Sequence, residues 1–226
     1  SGQANNYSIV SASSDITQRP LNLSGSRAYD STRTASGSDL SFANIVSGET
    51  LGLTGSGVLD SPAAGTRTIV NTNTLAISDG SGIASNYTLT NGTLTMTIVP
   101  RSTTVSGTKT YDGTTNVASS NLTSFSNLAG SDTLSLSGTG TISSADVGTG
   151  KTVNTSGLTI DNSSGVGSNY TLSAATVNVT ERVIGLSGVR AFDGTNNASS
   201  ADLSMSNLVS GENLTLSGSG TLPNAT

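Results

Sequence analysis

Asp30, Asp112 and Asp193 recur at matched positions, in Arg27-Ala28-Tyr29-Asp30-Ser31-Thr32, Lys109-Thr110-Tyr111-Asp112-Gly113-Thr114 and Arg190-Ala191-Phe192-Asp193-Gly194-Thr195. Carboxylates repeated in this way could gather a hard cation such as calcium, which needs several oxygen ligands converging on one point. The usual sign of such a site is a dense Asp/Asn/Gly loop. Here Asp132, Asp146 and Asp161 stand 14 and 15 residues apart with no such loop around them. A structural role fits the motif better: the aromatic ring anchors a core, and Asp-Gly supplies a turn residue followed by one that accepts positive φ. Ser31 at the glycine position requires either an ordinary turn or some strain, and Phe192 implies that the hydroxyl is dispensable there. A weak calcium site between units is kept as the alternative.

The two lysines, Lys109 and Lys151, raise a second chemistry, an amide crosslink from lysine to asparagine beside a buried acid. Arg27 and Arg67 occupy the matching positions earlier in the chain. Arginine cannot form that bond, so a crosslink is not a shared property of the copies. The chain has no cysteine and no histidine. Thiolate nucleophiles, histidine-based triads, Cys/His zinc sites and disulfides are therefore excluded. Neither a glutamate pair for glycoside hydrolysis nor a Gly-Lys-Ser/Thr phosphate loop is present. A formal charge of −5, with nine basic residues spread thinly, argues against a nucleic-acid surface. The expectation is a protein without enzymatic activity, with no catalytic, cofactor-binding or metal residues and no cofactor. Asn-x-Ser/Thr sequons, such as those at Asn22, Asn121 and Asn169, are as frequent as an Asn-, Ser- and Thr-rich composition makes them.

These residues are positioned by a repeat. Tyr29 and Tyr111 are 82 residues apart, Tyr111 and Phe192 are 81 apart, and so the chain reads as a tandem array. Asn86-Tyr87-Thr88-Leu89 and Asn169-Tyr170-Thr171-Leu172 close two units, and Asn6-Tyr7-Ser8-Ile9 matches them. The expected divisions are 1–18 as the tail end of a preceding repeat, 19–100 as repeat one, 101–181 as repeat two and 182–226 as the first half of repeat three. Within repeat two, alternating segments predict strands at 133–136, 151–154, 158–160, 170–172 and 176–179, with no helical spacing anywhere. Charged residues are 10%, well below the roughly 25% of ordinary domains. Apolar runs recurring in register nevertheless argue for folded units over a disordered linker. The predicted fold is all-β: small antiparallel, immunoglobulin-like β-sandwiches of about 80 residues in tandem, with a parallel solenoid as the rival. Junctions such as Thr97-Ile98-Val99-Pro100-Arg101 have no flexible spacer, and so favour an elongated rod.

All eight aromatic residues fall in register. Tyr7, Tyr87 and Tyr170 share one position, Tyr29, Tyr111 and Phe192 a second, and Phe42 and Phe125 a third, where Met205 follows. None is left over for a platform that stacks sugars or bases. The Tyr-Asp-Gly turn, Ser137 to Thr141, Asp146-Val147-Gly148 and the closing Asn169-Tyr170-Thr171-Leu172 together resemble the YDG-domain repeats of large bacterial surface adhesins of the filamentous-haemagglutinin type. Those repeats are related to the mucin-binding MBG repeats. Unit one departs from the pattern at Ser31, and has Ser61-Pro62-Ala63-Ala64-Gly65 where Asp-Val-Gly is expected.

The resemblance implies an extracellular, β-rich segment of a giant exported protein at the bacterial cell surface, with no catalytic residue to carry over. The expected function is a structural stalk or spacer that supports adhesion or biofilm formation. Two alternatives stand beside it: weak, multivalent mucin or polysaccharide binding by each repeat, and a self-associating matrix or filament element. The expected partners are neighbouring repeats of the same chain, a host glycan, mucin or matrix polysaccharide in the binding alternative, and neighbouring chains by strand exchange in the other. No nucleic acid is expected, and no membrane insertion, because no apolar run approaches the roughly 18 residues of a membrane helix. The start of the sequence lacks a secretory signal, which predicts a piece from the interior of a longer chain.

Overall fold

Residues 1–223 are described by a computed structural model. Among them the secondary structure is strand and short 3-10 turns, with no α-helix. Backbone contacts divide the chain into two compact units, Ser1–Arg101 and a second beginning at Ser102.

The first unit is built on a six-stranded sheet in the order Thr34–Ser36, Ser56–Leu59, Gly65–Asn71, Thr95–Val99, Leu23–Ala28, Leu40–Phe42. Thr95–Val99 shows why these residues make a strand: Met96 and Ile98 turn inward and are buried, while Thr97 between them faces outward. The strand pairs antiparallel with Gly65–Asn71 on one side. On the other side it runs parallel to Leu23–Ala28, with Ile98 opposite Arg27. Arg19–Pro20 and Tyr87–Thr88 are also parallel. The sheet is therefore mixed, which corrects the wholly antiparallel expectation. The last long strand of the copy lies beside its first, and two strands that begin at opposite ends of an 80-residue segment can run in the same direction without a tight hairpin.

The second unit has a four-stranded sheet, ordered Leu122–Ser126, Arg101–Thr110, Tyr170–Thr180, Gly148–Thr152, and a three-stranded sheet, ordered Asn116–Ala118, Leu134–Thr141, Leu158–Asn162. Its core draws on both, with Val105, Leu122 and Val177 from the larger sheet and Val117 from the smaller. Leu136 and Leu158 of the smaller sheet pack against that cluster. Tyr170–Thr180 is one continuous strand where two short ones were expected, and Arg101–Thr110, Asn116–Ala118 and Leu122–Ser126 are strands that the alternation did not predict. Beyond Thr180, Gly185–Gly188 pairs with Leu203–Ser206, and Asn197–Ser199 with Ser219–Thr221. This segment keeps Leu186 and Leu214 largely exposed.

Each Asn-Tyr motif has the same local origin. A three-residue 3-10 turn, Ala84–Asn86 or Gly167–Asn169, delivers the tyrosine onto the next strand, and a like turn, Ala4–Asn6, precedes Tyr7, at which no strand begins. Tyr87 and Tyr170 are buried, whereas Tyr7 is 78% exposed.

Candidate functional site

The Tyr-Asp-Gly stretch is organised by a buried cation. Along Arg101–Thr110 the inward positions are Thr103, Val105, Gly107 and Lys109, so the pleat carries an ammonium group into the interior. Lys109 is 3% exposed. Its Nζ donates to the Thr114 carbonyl at 2.7 Å, the Asn116 carbonyl at 2.5 Å and Thr114 Oγ1 at 3.0 Å. It also pairs with Asp112 Oδ1 at 2.8 Å. A buried charge is tolerated only when its donors are satisfied, and three oxygens of the loop plus one carboxylate do this. Asp112 Oδ1 in turn accepts from Thr114 N and Thr114 Oγ1, each at 2.9 Å, closing the turn from the other side.

The other copies use arginine for the same purpose. Arg27 donates to the carbonyls of Ala28, Thr32 and Thr34 and pairs with Asp30. Arg190 donates to the Thr195 carbonyl at 2.5 Å and pairs with Asp193 at 2.6 Å. The turn itself needs positive φ after the aspartate: Gly113 and Gly194 adopt +74° and +81°, and Ser31 adopts +67°. Ser31 therefore accepts strain, of order 1 kcal/mol for a residue with a Cβ, and does not change the turn. A second cation holds the loop that precedes the matching strand in the first two copies. Arg67 reaches the carbonyls of Ala63 and Ala64, and Lys151 reaches that of Ser144 at 3.0 Å.

Burial pushes the Asp112 carboxyl up, but the hydrogen bonds from Lys109 and Thr114 outweigh it, and the net direction is down. Asp30 follows the same balance, with Thr32 and Arg27 opposing burial. In Asp193 the Thr195 N–H, then Arg190 and the Thr195 hydroxyl, bring the carboxyl down to about 2. Groups with depressed folded values contribute stability that is complete above the ordinary value of 3.8 and is lost as pH falls through the folded value. Thermal unfolding followed by circular dichroism should therefore show a midpoint that drops from pH 3.8 down to about 2. Asp112→Asn should shrink that drop, since its amide has no such titration.

The closing tyrosines form the other recurring polar contact. Tyr87 Oη donates to the Glu49 carboxylate and accepts from Val46 N at 3.4 Å. Tyr170 Oη donates to Asp132 Oδ2 at 2.6 Å and accepts from the buried Ala129 N–H at 3.0 Å. The hydrogen bond to Glu49 is the main cause raising the Tyr87 hydroxyl above its ordinary value, followed by desolvation. Each tyrosine thus fastens the loop that carries its own acid. Tyr170→Phe should destabilise the second unit by about 1–3 kcal/mol in urea unfolding, because the Ala129 N–H loses its acceptor.

Asp30, Asp112 and Asp193 each face an internal cation. Asp132 receives Tyr170, and Asp146 receives the Ser144 hydroxyl. Among the described residues no group of three or more acidic side chains converges on a point that could hold a metal ion. Lys109 meets Asn116 through the backbone carbonyl and not through the side-chain amide that a crosslink would need. Asn169, in one of the sequons, is buried. Sequence reasoning weighed the basic residue three positions before the aspartate only as a crosslink donor, and missed its pairing with that aspartate, although the spacing recurs in all three copies.

An all-β chain with two recurring clamps, a cation under the Tyr-Asp-Gly turn and a tyrosine on an acidic loop, is a tandem β-repeat protein. The YDG domain model matches it twice, over residues 16–96 and 93–178, and the chain belongs to the YDG domain family. No curated protein and no solved structure matches it.

Proposed function

We propose that these repeats are non-enzymatic spacers of a large bacterial surface adhesin, exported to the cell surface, where they support adhesion or biofilm formation. In this reading each YDG copy is a small immunoglobulin-like sandwich, and successive copies are laid end to end in a rod that presents a binding domain carried elsewhere in the parent protein. One observation carries the reading: the side chains that recur with chemical capability are spent within the fold. The Tyr-Asp-Gly aspartates face their own cations, and the closing tyrosines hold their own loop acids. The tandem YDG match supports it as well.

Small-angle scattering of the intact chain tests the proposal. The expected result is an elongated particle with a cross-section of one repeat, and a compact globular envelope would contradict it. Capture of the chain on a mucin glycan array would instead make the repeats binders, acting through multivalency.

A further inference from the structure

We propose that the Tyr-Asp-Gly turn at Tyr111 is a docking surface whose partner is the acidic loop around Glu212 of the repeat that follows it. The observation is in the second unit, where Tyr111 Oη donates to Glu212 Oε1 across 101 residues of sequence. Glu212 belongs to Val209-Ser210-Gly211-Glu212, which stands in register with Val46-Ser47-Gly48-Glu49 and Ala129-Gly130-Ser131-Asp132. In those two copies the acid takes the hydroxyl of its own closing tyrosine.

The glycine of the motif belongs to the same surface. A Cβ at Gly113 would lie 2.9 Å from Val209 Cγ1 and 3.6 Å from Glu212 Oε1, so the missing side chain leaves room for the loop to seat. Val147, Arg182, Ile184 and Leu214 line the same recess beside Tyr111. The hydrogen bond to Glu212 is the largest cause raising the Tyr111 hydroxyl above its ordinary value.

Phe192 occupies the tyrosine position and is 77% exposed, and a Cβ at Gly194 would meet nothing within 4 Å. Beside the acidic loop Tyr111 is half-buried, although Gly113 itself stays exposed. The turn forms at Phe192 without a hydroxyl, with Gly194 at φ +81°, whereas the hydroxyl of Tyr111 is what reaches Glu212. The inference goes beyond the spacer reading, because it holds whether the array is a spacer or a binder.

Hydrogen exchange on the full chain, followed by mass spectrometry, tests it with Tyr111→Phe, Glu212→Gln and the double variant. The amide of Glu212, which donates to the Val209 carbonyl at 3.0 Å, should exchange about tenfold faster in either single variant, the loss expected for one hydrogen bond to a charged group. The double variant should exchange no faster than the singles. Tyr170→Phe should leave that amide unchanged. Unaltered exchange at 208–212 in both single variants would overturn the proposal. So would faster exchange spread evenly over 102–180, since Tyr111 would then act through its own core.

Discussion

Gly107→Ala is expected to destabilise the second unit by about 3 kcal/mol or more, a larger effect than overpacking usually has. A Cβ at Gly107 would stand 1.6 Å from the Asn121 carbonyl oxygen and 2.9 Å from Leu122 Cα. Both are backbone atoms, so no side chain can swing aside. The strands Arg101–Thr110 and Leu122–Ser126 shift register between Ser106 and Gly107, as at a β-bulge, and the close approach lies at that irregularity. Relief requires the strands to part, which pulls Leu122 out of the core and undoes its pairing with Gly107. The same geometry recurs at Gly25, where a Cβ would be 1.9 Å from the Asp39 carbonyl, and at Gly188, where it would be 1.7 Å from that of Asp202. Urea unfolding monitored by circular dichroism measures the loss. Ser106→Ala, one residue away and facing solvent, should stay within about 0.5 kcal/mol of the parent.

Lys109→Met is expected to cost about 3 kcal/mol, whereas Lys109→Arg should cost less than about 1.5 kcal/mol. Methionine fills similar space but strips the donor from the carbonyls of Thr114 and Asn116 and from Thr114 Oγ1. Arginine keeps the charge, and Arg27 and Arg190 show that the same turn closes around a guanidinium. The contribution of the Asp112 pairing is smaller than its short distance suggests. The Asp112 side chain is 46% exposed, so water screens the attraction. Asp112→Asn should therefore destabilise less than Lys109→Met in the same unfolding measurement. The reverse order would mean that the ion pair, and not the cage of carbonyls, holds the loop.

Much of this architecture is legible in the residues because its signals are local. The tyrosine spacing reports the repeat, alternation reports strands such as Leu158–Asn162, and the Asn-Tyr-Thr-Leu motif marks where a buried tyrosine enters its strand. The strand Arg101–Thr110 is hidden because two of its inward positions are Gly107 and Lys109, which read as a breaker and a solvated charge. Both assignments invert once the partner backbone is in view: the glycine admits a close carbonyl, and the lysine finds a loop of carbonyls. Parallel pairing of Thr95–Val99 with Leu23–Ala28 leaves no local trace, since the alternation of each strand is the same for either direction. The acidic loop is hidden for another reason. Glu49, Asp132 and Glu212 are visibly in register, but their tyrosine partners lie 38 or 101 residues away.

We infer that the recurring charged side chains serve the fold and not a ligand: Asp30, Asp112 and Asp193 each face an internal cation where a carboxylate would otherwise draw a metal. Thermal unfolding of the intact chain in chelator and in millimolar calcium tests it most directly. The same midpoint is expected in both. A midpoint raised by calcium in the parent, and no longer raised in Asp112→Asn, would contradict it.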